Sequence, residues 1–333
     1  MSTSRTFHPF ARLPVDVRVM IYRDSGRDEL IQLCGTNRQV REEVLDYLYG
    51  ELVIRGEAED VHRQLRKMHL APRDTDRLRP IPSATRIMSI FVIKGETFNS
   101  WGQFGSFYKY SCPPTLSAHM VAVLIKANSL QVLHLNLLCL DSENLSKLEL
   151  YADYNYLPKT LKSLRLYGND RSISTVMRQL RKGQLQSLAL KGLSSYTLLD
   201  TLLEGQEVLE FELAHTTLAC SAPAFLKTES LSLTVHANHD ALADHLQDCL
   251  ERLKYLSVVA RGLPSDAAVT RLTDLYFSKL ENLEYLVVKF NYPTAIMAKR
   301  VLGGIRIKTV HKLDDIAWPM MARVTGEYPR SWA

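Results

Sequence analysis

Apolar residues recur in a short, regular pattern from Ile87 onward. The pattern is L-x-x-L-x-L, in which Val, Ile, Phe or Thr replaces Leu at some positions and the residues between are polar or variable. Because successive side chains of a strand point to opposite faces, each copy predicts a short strand with one buried face. The copies are Ile87-Ile90-Val92, Leu130-Leu133-Leu135, Leu161-Leu164-Leu166, Leu185-Leu188-Leu190, Val208-Phe211-Leu213, Thr228-Leu231-Leu233, Leu253-Leu256-Val258 and Leu283-Leu286-Val288.

Amphipathic segments separate these copies. Ser172–Lys182, Asp240–Leu250 and Ala267–Leu280 carry apolar stripes at helical spacing, and Leu145-Leu148-Leu150 fits another returning helix. From Leu133 onward the copy centres lie 31, 24, 23, 20, 25 and 30 residues apart, close to the roughly 20–29 residues of a leucine-rich repeat. The predicted fold class is therefore α/β, a leucine-rich-repeat-type solenoid over residues 87–315. A doubly wound parallel sheet is the alternative, although its strands are usually continuous apolar runs.

The residues before the repeats follow a different hydrophobic pattern. Residues 7–55 predict a small all-α module, with helix starts at Pro14 and at Thr36 or Asn37. Residues 56–86 predict a helix and then a linker rich in proline and charge. An insertion at 95–114, with an aromatic loop at 98–110, is placed at the front of the solenoid, and long loops of this kind are often functional. Residues 316–333 predict a C-terminal cap or tail.

The first module also carries a family pattern. It contains Leu13-Pro14-Val15-Asp16-Val17-Arg18, then Ile21-Tyr22, Leu30-Ile31-Gln32-Leu33-Cys34, Asn37-Arg38-Gln39-Val40-Arg41-Glu42-Glu43 and Leu48-Tyr49. This run resembles an F-box of the variant common in fungal proteins, and an F-box before leucine-rich repeats is a recurring arrangement. Two features depart from the family: residues 23–29 are polar, and Arg41 and Glu43 occupy the region where the family usually carries Trp. The alternative is a helical cap that shields the first repeat.

The resemblance implies a role in ubiquitin transfer. An F-box docks on a Skp-type adaptor that sits on a cullin scaffold, and the remaining domain holds an unknown protein substrate. Carried over by position, the adaptor contacts would be Leu13, Pro14, Val17, Ile21, Leu30 and Leu33. They suit an amphipathic helix-in-groove surface. For each of them, burial inside the module is the competing interpretation.

The strand period also predicts a ligand surface on the concave face of the solenoid. The residue before each central apolar residue forms one column: Val132, Ser163, Ser187, Glu210, Ser230, Tyr255 and Tyr285. The residue after it forms a second column: His134, Arg165, Ala189, Glu212, Ser232, Ser257 and Val287. The residue three positions after it forms a third column: Asn136, Tyr167, Lys191, Ala214, Thr234, Val259 and Lys289. Tyr and Arg are frequent anchors of interfaces, so the candidate substrate-binding residues are Arg165, Tyr167, Lys191, Tyr255 and Tyr285. High strand propensity is another reason for Tyr at such positions.

Composition narrows the function classes. Apolar residues make up 46% and charged residues 23%, and the net charge is +5, with 15 basic and 13 acidic side chains before residue 87 and 26 and 23 after it. No basic segment stands out, which argues against nucleic acid as a partner. Five cysteines without a CxxC pair indicate a reducing compartment. No apolar run has the length of a membrane span, so we expect a soluble protein of the cytoplasm or nucleus.

Catalytic motifs are missing from the sequence. There is no glycine-rich phosphate loop and no GxSxG elbow. His245 and Cys249 lie one helical turn apart near His236 and His239, but Cys249 falls on an apolar stripe, which favours packing over zinc binding. We therefore expect no catalytic, cofactor or metal residues. The expected function is a non-catalytic substrate receptor; the alternatives are a repeat scaffold in a stable complex without a ligase role, and an enzyme on a misread α/β fold.

Overall fold

The computed structural model describes residues 9–36, 38–70, 81–93, 112–214, 227–236, 238–249, 251–260, 265–290 and 295–310. The aromatic loop at 98–110 and the predicted C-terminal cap at 316–333 lie outside these residues. In the sheet of eleven strands, strand order follows chain order. The strands are β1 Glu51–Gly56, β2 Ile87–Val92, β3 Val132–Asn136, β4 Ser163–Tyr167, β5 Ser187–Lys191, β6 Glu210–Ala214, β7 Ser230–His236, β8 Tyr255–Val259, β9 Tyr285–Lys289, β10 Ala295–Val301 and β11 Gly304–Val310.

The helices alternate with these strands. They are α1 Val15–Asp24, α2 Arg27–Cys34, α3 Arg38–Leu48, α4 Ala58–His69, α5 Ile81–Ala84, α6 Leu116–Lys126, α7 Ser142–Leu150, α8 Asp170–Met177, α9 Tyr196–Leu203, α10 His239–Cys249 and α11 Asp266–Lys279. The helices predicted at Asp240–Leu250 and Ala267–Leu280 are confirmed as α10 and α11. The helix predicted at Ser172–Lys182 is present as α8, but it begins two residues earlier and ends at Met177, five residues before the predicted end. By contact, the chain forms two compact units, Met1–His134 with Cys139–Thr160, and Leu135–Leu138 with Leu161–Ala333.

The first unit begins with the helical module formed by α1, α2 and α3. Its buried core consists of Tyr22, Leu30, Val40, Val44 and Leu48, against which Phe10, Leu33, Cys34, Tyr47 and Tyr49 pack. These apolar residues recur at helical spacing, so each helix turns one stripe inward. The module is thus an independent apolar cluster within its unit.

Two segments of this unit differ from the prediction. Residues 51–55, assigned to the helical module, belong to β1, which pairs in parallel with β2 from Glu51 opposite Ile87 to Gly56 opposite Val92. The end of the predicted linker is ordered as well, because α5 spans Ile81–Ala84 and Thr85 is fully buried. Proline did not prevent structure here: Pro82 is the second residue of α5, in the first turn, where its missing N–H costs no helical hydrogen bond.

The second unit carries the regular repeats. Strands β4 to β9 are parallel and pair in chain order, and consecutive helices contact each other, α8 with α9 and α10 with α11. When each new parallel strand is added on the same side of the one before it, right-handed crossovers place all the connecting helices on the same face of the sheet. A doubly wound sheet instead reverses strand order at a switch point. The order from β4 to β9 therefore fits a repeat-like solenoid and not the doubly wound alternative.

The repeated leucines form the apolar spine of this unit. Leu164, Leu188, Phe211, Leu256 and Leu286 are each no more than 2% exposed. Glycine follows two of the strands: Gly168 donates its N–H to the carbonyl of Lys191, and Gly192 adopts a φ of 93° beside the carbonyl of Gly168. A side chain at Gly192 would collide with that carbonyl, so the close approach of successive turns requires glycine there.

The repeats end in an antiparallel hairpin. β10 pairs with β9 and with β11, and the turn at Leu302–Gly303 joins its strands, with Gly303 at a φ of 92°. Gly304 follows this turn directly and is the first residue of β11. Arg300 donates to the carbonyls of Phe277 at 2.8 Å and Leu283 at 3.0 Å, which fixes the hairpin to the end of α11. Among the described residues, no helix is both long and apolar enough to cross a membrane.

Candidate functional site

The candidate substrate residues lie on one face of β4 to β9. We define the interspine face as positions 163, 165 and 167 of β4 together with the residues in register with them in β5 to β9. The register pairs Ser163 with Ser187, then Glu210, Ser230, Tyr255 and Tyr285, and it pairs Arg165 with Ala189, then Glu212, Ser232, Ser257 and Val287. From β4 to β9, the first and second predicted columns are therefore confirmed.

The third column is confirmed only in part. Tyr167 pairs with Lys191 and Ala214, and Val259 with Lys289. The assignment of Thr234 to this column is wrong, because a register shift after Ser232 places His236 opposite Val259. Such an irregularity inserts extra residues into one strand and displaces every later position along it.

A charged cluster occupies the β4–β6 end of the interspine face. The Arg165 guanidinium lies 3.9 Å from the Glu212 carboxylate, although the residues belong to strands separated by β5. Ala189 lies between them in register, and its small side chain leaves room for this contact. The ammonium of Lys191 stands 5.6 Å from the ring centre of Tyr167, a cation–π distance. Three of the five predicted substrate residues, Arg165, Tyr167 and Lys191, thus lie close together.

Lys289 adds a third cation to this environment. Burial lowers the pKa of its ammonium, the Glu212 carboxylate acts in the opposite direction, and Arg165 lowers the pKa further. Burial also raises the pKa of Tyr167. The cluster is therefore partly desolvated, and in such surroundings an added carboxylate interacts more strongly than it would in water.

An aromatic pair occupies the β8–β10 end of the same face. The rings of Tyr255 and Tyr285, which are register partners, stack at 5.2 Å with 13° between their planes. Lys299 of β10 lies 4.9 Å from the Tyr285 ring centre and pairs with Tyr285 in register. These two predicted substrate residues therefore form one flat aromatic platform with a cation at its edge.

Buried hydroxyls lie between the two ends. Ser230, Ser232 and Ser257 are 3%, 7% and 0% exposed, and the Ser257 hydroxyl makes no hydrogen bond within the described part of the chain. A polypeptide lying along this face would meet an Arg–Glu–Lys cluster at one end and a tyrosine platform at the other. Within the described ranges, no group of three or more His, Cys, Asp or Glu residues is placed to hold a metal ion. The two ends of the interspine face are thus partly exposed, whereas the serines between them are buried.

The helical module provides the second candidate surface. Of the predicted adaptor contacts, Pro14 is exposed, Val17 is 40% exposed, and Leu13, Ile21 and Leu33 are partly buried. Leu30 is only 5% exposed and packs in the module core, which leaves it little surface to offer a partner.

Sequence reasoning missed the most exposed apolar residues of this module. Val15 is 59% exposed, Met20 63% and Ile31 51%. Met20 lies three residues after Val17, so these two side chains are neighbours on the outer surface of α1. The helical spacing alone could have identified Met20. We refer to Val15, Val17, Met20 and Ile31 as the exposed apolar residues of the module.

A buried ion pair fixes the helix that carries most of them. Arg18 is 4% exposed and donates to both carboxylate oxygens of Glu43, at 2.8 and 2.7 Å, while the Tyr22 hydroxyl donates to Glu43 at 2.9 Å. The hydrogen bond from Arg18 holds the pKa of Glu43 below its usual range. Glu43 thus binds α1 to α3 through polar contacts.

One of the residues considered for zinc, His239, contacts an aromatic side chain. The His239 ring lies 2.8 Å from the Tyr276 hydroxyl and meets the Tyr276 ring edge-on. Scans of the sequence against protein-family models and against curated proteins returned no match. Function is therefore inferred from the two surfaces themselves.

Proposed function

We propose that the chain is a non-catalytic substrate-receptor subunit of a cullin-RING ubiquitin ligase of the SCF type. In this proposal the helical module binds a Skp-type adaptor, and the interspine face binds a protein substrate. The observation that carries it is the exposure of Val17, Met20 and Ile31 on a module whose apolar core is complete without them. Exposed apolar side chains gathered on a small module favour a protein partner.

The interspine face supports the substrate half of the proposal. Its two ends differ in chemistry, with charge around Arg165 and Glu212 and stacked rings at Tyr255 and Tyr285. Tyr and Arg contribute strongly to interfaces because they bury large surfaces and still form hydrogen bonds. A receptor of this kind acts by proximity: it holds the substrate in place while another subunit carries out the transfer.

The adaptor half is tested with purified proteins. Fully burying one Val, Ile or Met side chain contributes about 1.5–3 kcal/mol, so residues already half-buried should each contribute about 1 kcal/mol on docking. The Val17→Ser/Met20→Ser/Ile31→Ser variant should therefore lose roughly a hundredfold or more in affinity for a Skp-type adaptor, measured by calorimetry.

The matched control is Ile125→Ser/Leu150→Ser, which removes apolar residues that are 50% and 72% exposed elsewhere in the same unit. It should bind the adaptor like the wild type. Failure of the wild-type chain to bind, under conditions in which an established F-box binds, would remove the ligase proposal.

A second candidate is a repeat scaffold that never recruits a cullin. The polar segment between α1 and α2 favours it, because Arg23, Asp24, Arg27 and Asp28 are exposed close to the apolar residues. Charges at that position would have to be desolvated on docking. The scaffold is supported if a stable partner co-purifies through the interspine face while adaptor and cullin are missing from the complex.

A further inference from the structure

The last strand of the sheet presents an edge with two chemically different sides. Among the described residues, β11 pairs only with β10. Its side chains alternate, with Ile305 and Ile307 on one side, 36% and 45% exposed, and Arg306 and Lys308 exposed on the other. An unpaired strand edge is a template on which another extended segment can add.

The hairpin register shows which backbone groups face outward. The turn at Leu302–Gly303 is closed by the pair Val301 and Gly304. In an antiparallel pair, hydrogen-bonded and non-bonded positions alternate, and the closing pair of a two-residue turn is bonded. The N–H and C=O groups of Ile305, Ile307 and Thr309 therefore point away from β10. Three residues of backbone are available to pair with a partner strand.

Charge determines which partner fits this edge. Residues 295–310 contain the cations Lys299, Arg300, Arg306 and Lys308 and no carboxylate. Arg300 is engaged with the end of α11 and Lys299 stands over Tyr285. Arg306 and Lys308 form no ion pair within the described residues, so they remain available to a partner.

A second copy of the chain fits poorly at this edge. If β11 paired antiparallel with itself around Ile307, Arg306 of each copy would lie opposite Lys308 of the other, and like charges directly opposite destabilise a sheet. An extended segment that alternates acidic and apolar residues avoids this. Its carboxylates would meet Arg306 and Lys308, and its apolar side chains would cover Ile305 and Ile307.

We propose that β11 binds an extended protein segment of alternating acidic and apolar residues as an added strand of the sheet. Arg306 and Lys308 lie on the same side of the sheet as the interspine face, because Lys299 pairs with both Tyr285 and Arg306, whereas Ile305 and Ile307 lie on the opposite side. The proposal does not depend on the ligase function. The side chains select the partner and the outward backbone groups of the edge anchor it.

The test uses two labelled peptides of identical composition. One alternates Glu and Val, and the other has the same residues in two blocks, so that charge is equal and alternation is lost. Fluorescence anisotropy should show the alternating peptide binding the full chain roughly tenfold or more tightly than the block peptide. Hydrogen exchange should slow at the amides of Ile305, Ile307 and Thr309 when it is bound.

Charge reversal supplies the second arm. Arg306→Glu/Lys308→Glu changes only exposed side chains, so it should fold normally, lose the acidic peptide and bind a peptide that alternates Lys and Val. The control Arg252→Glu, on the exposed turn before β8, should bind like the wild type. The proposal is overturned if the two acidic peptides bind equally or not at all, if the three amides gain no protection, or if sedimentation shows β11 occupied by a second copy.

Discussion

Asn144 joins the start of α6 to the start of α7 and offers a sharp test of how the first unit is held together. Its Oδ1 accepts the N–H of Ser117 at 3.1 Å, and its Nδ2 donates to the carbonyl of Pro113 at 3.2 Å and to Asp141 Oδ1 at 3.1 Å. The residue is fully buried. Thr115, the N-cap of α6, makes no side-chain capping bond, so the acceptor for the first turn of α6 comes from the next helix.

The Asn144→Ala variant should lose about 2–4 kcal/mol of unfolding free energy. Leaving the buried Ser117 N–H unsatisfied costs about 1–3 kcal/mol, and the vacated space around the amide adds to this cost. The Asn144→Asp variant keeps the shape and the acceptor but places a second carboxylate beside Asp141. At neutral pH it should be destabilised at least as much, and it should recover part of the loss in acid as the new carboxyl becomes protonated.

Urea unfolding followed by far-UV circular dichroism measures these differences, and hydrogen exchange at the Ser117 amide locates them. Ser117→Ala removes only the bond from its hydroxyl to the Asn144 carbonyl, 2.8 Å long, and should cost about 1 kcal/mol. Leu150→Ala, at a residue 72% exposed on the same helix, should change little. If the free energies of unfolding of Asn144→Ala and Leu150→Ala agree within about 0.5 kcal/mol, the hydrogen bonds from Asn144 do not stabilise α6.

Three further outcomes follow from the contacts described above. Glu43 has a lowered pKa in the folded chain, so its contribution to stability is present above the ordinary glutamate pKa of about 4.3 and is lost as pH falls through the folded pKa. The thermal midpoints of wild type and Glu43→Gln should therefore converge in acid. An equal difference between the two midpoints at pH 7 and in acid would contradict this. Arg300→Ala should cost about 1–2 kcal/mol and speed exchange in the last turn of α11, with Arg300→Lys intermediate because lysine lacks the planar fork. A double-mutant cycle between Tyr255→Ala and Tyr285→Ala should give a coupling of about 0.5–1.5 kcal/mol in urea unfolding, and zero coupling would mean that the stacked rings contribute only independently.

The sequence predicted the regular part of the fold because the strand period determines which side chains share a face. Once Leu164 and Leu188 were assigned to the spine, Arg165 and Ala189 had to face the other way, and the register from β4 to β6 agrees. The shift between Ser232 and His236 was not visible, because nothing in the alternation of β7 marks where its pairing slips.

Contacts between residues far apart in the sequence could not be predicted from local sequence patterns. Glu43 was noted as a departure from a family motif, and only the fold shows that it neutralises the buried Arg18. The capping of α6 by Asn144 likewise joins residues in different helices. β1 was missed because its short apolar run directly follows a helix and looks like its continuation. The exposure of Ile31 is visible only in the packing, because in the sequence it stands directly beside the buried Leu30.

The junction between α3 and β1 has a consequence for how the helical module transmits motion. Only Tyr49 and Gly50 separate the last residue of the helix from the first of the strand. A side chain at Gly50 would collide with the carbonyl of Asp46, and the Gly50 carbonyl accepts from both Arg86 and Ile87. The module is therefore joined to β1 by two residues, and the second of them is hydrogen-bonded to the chain at the start of β2. Because the connection is this short, we expect a partner bound to the module to move together with β1 and β2. A long linker would instead let the partner and these strands move independently.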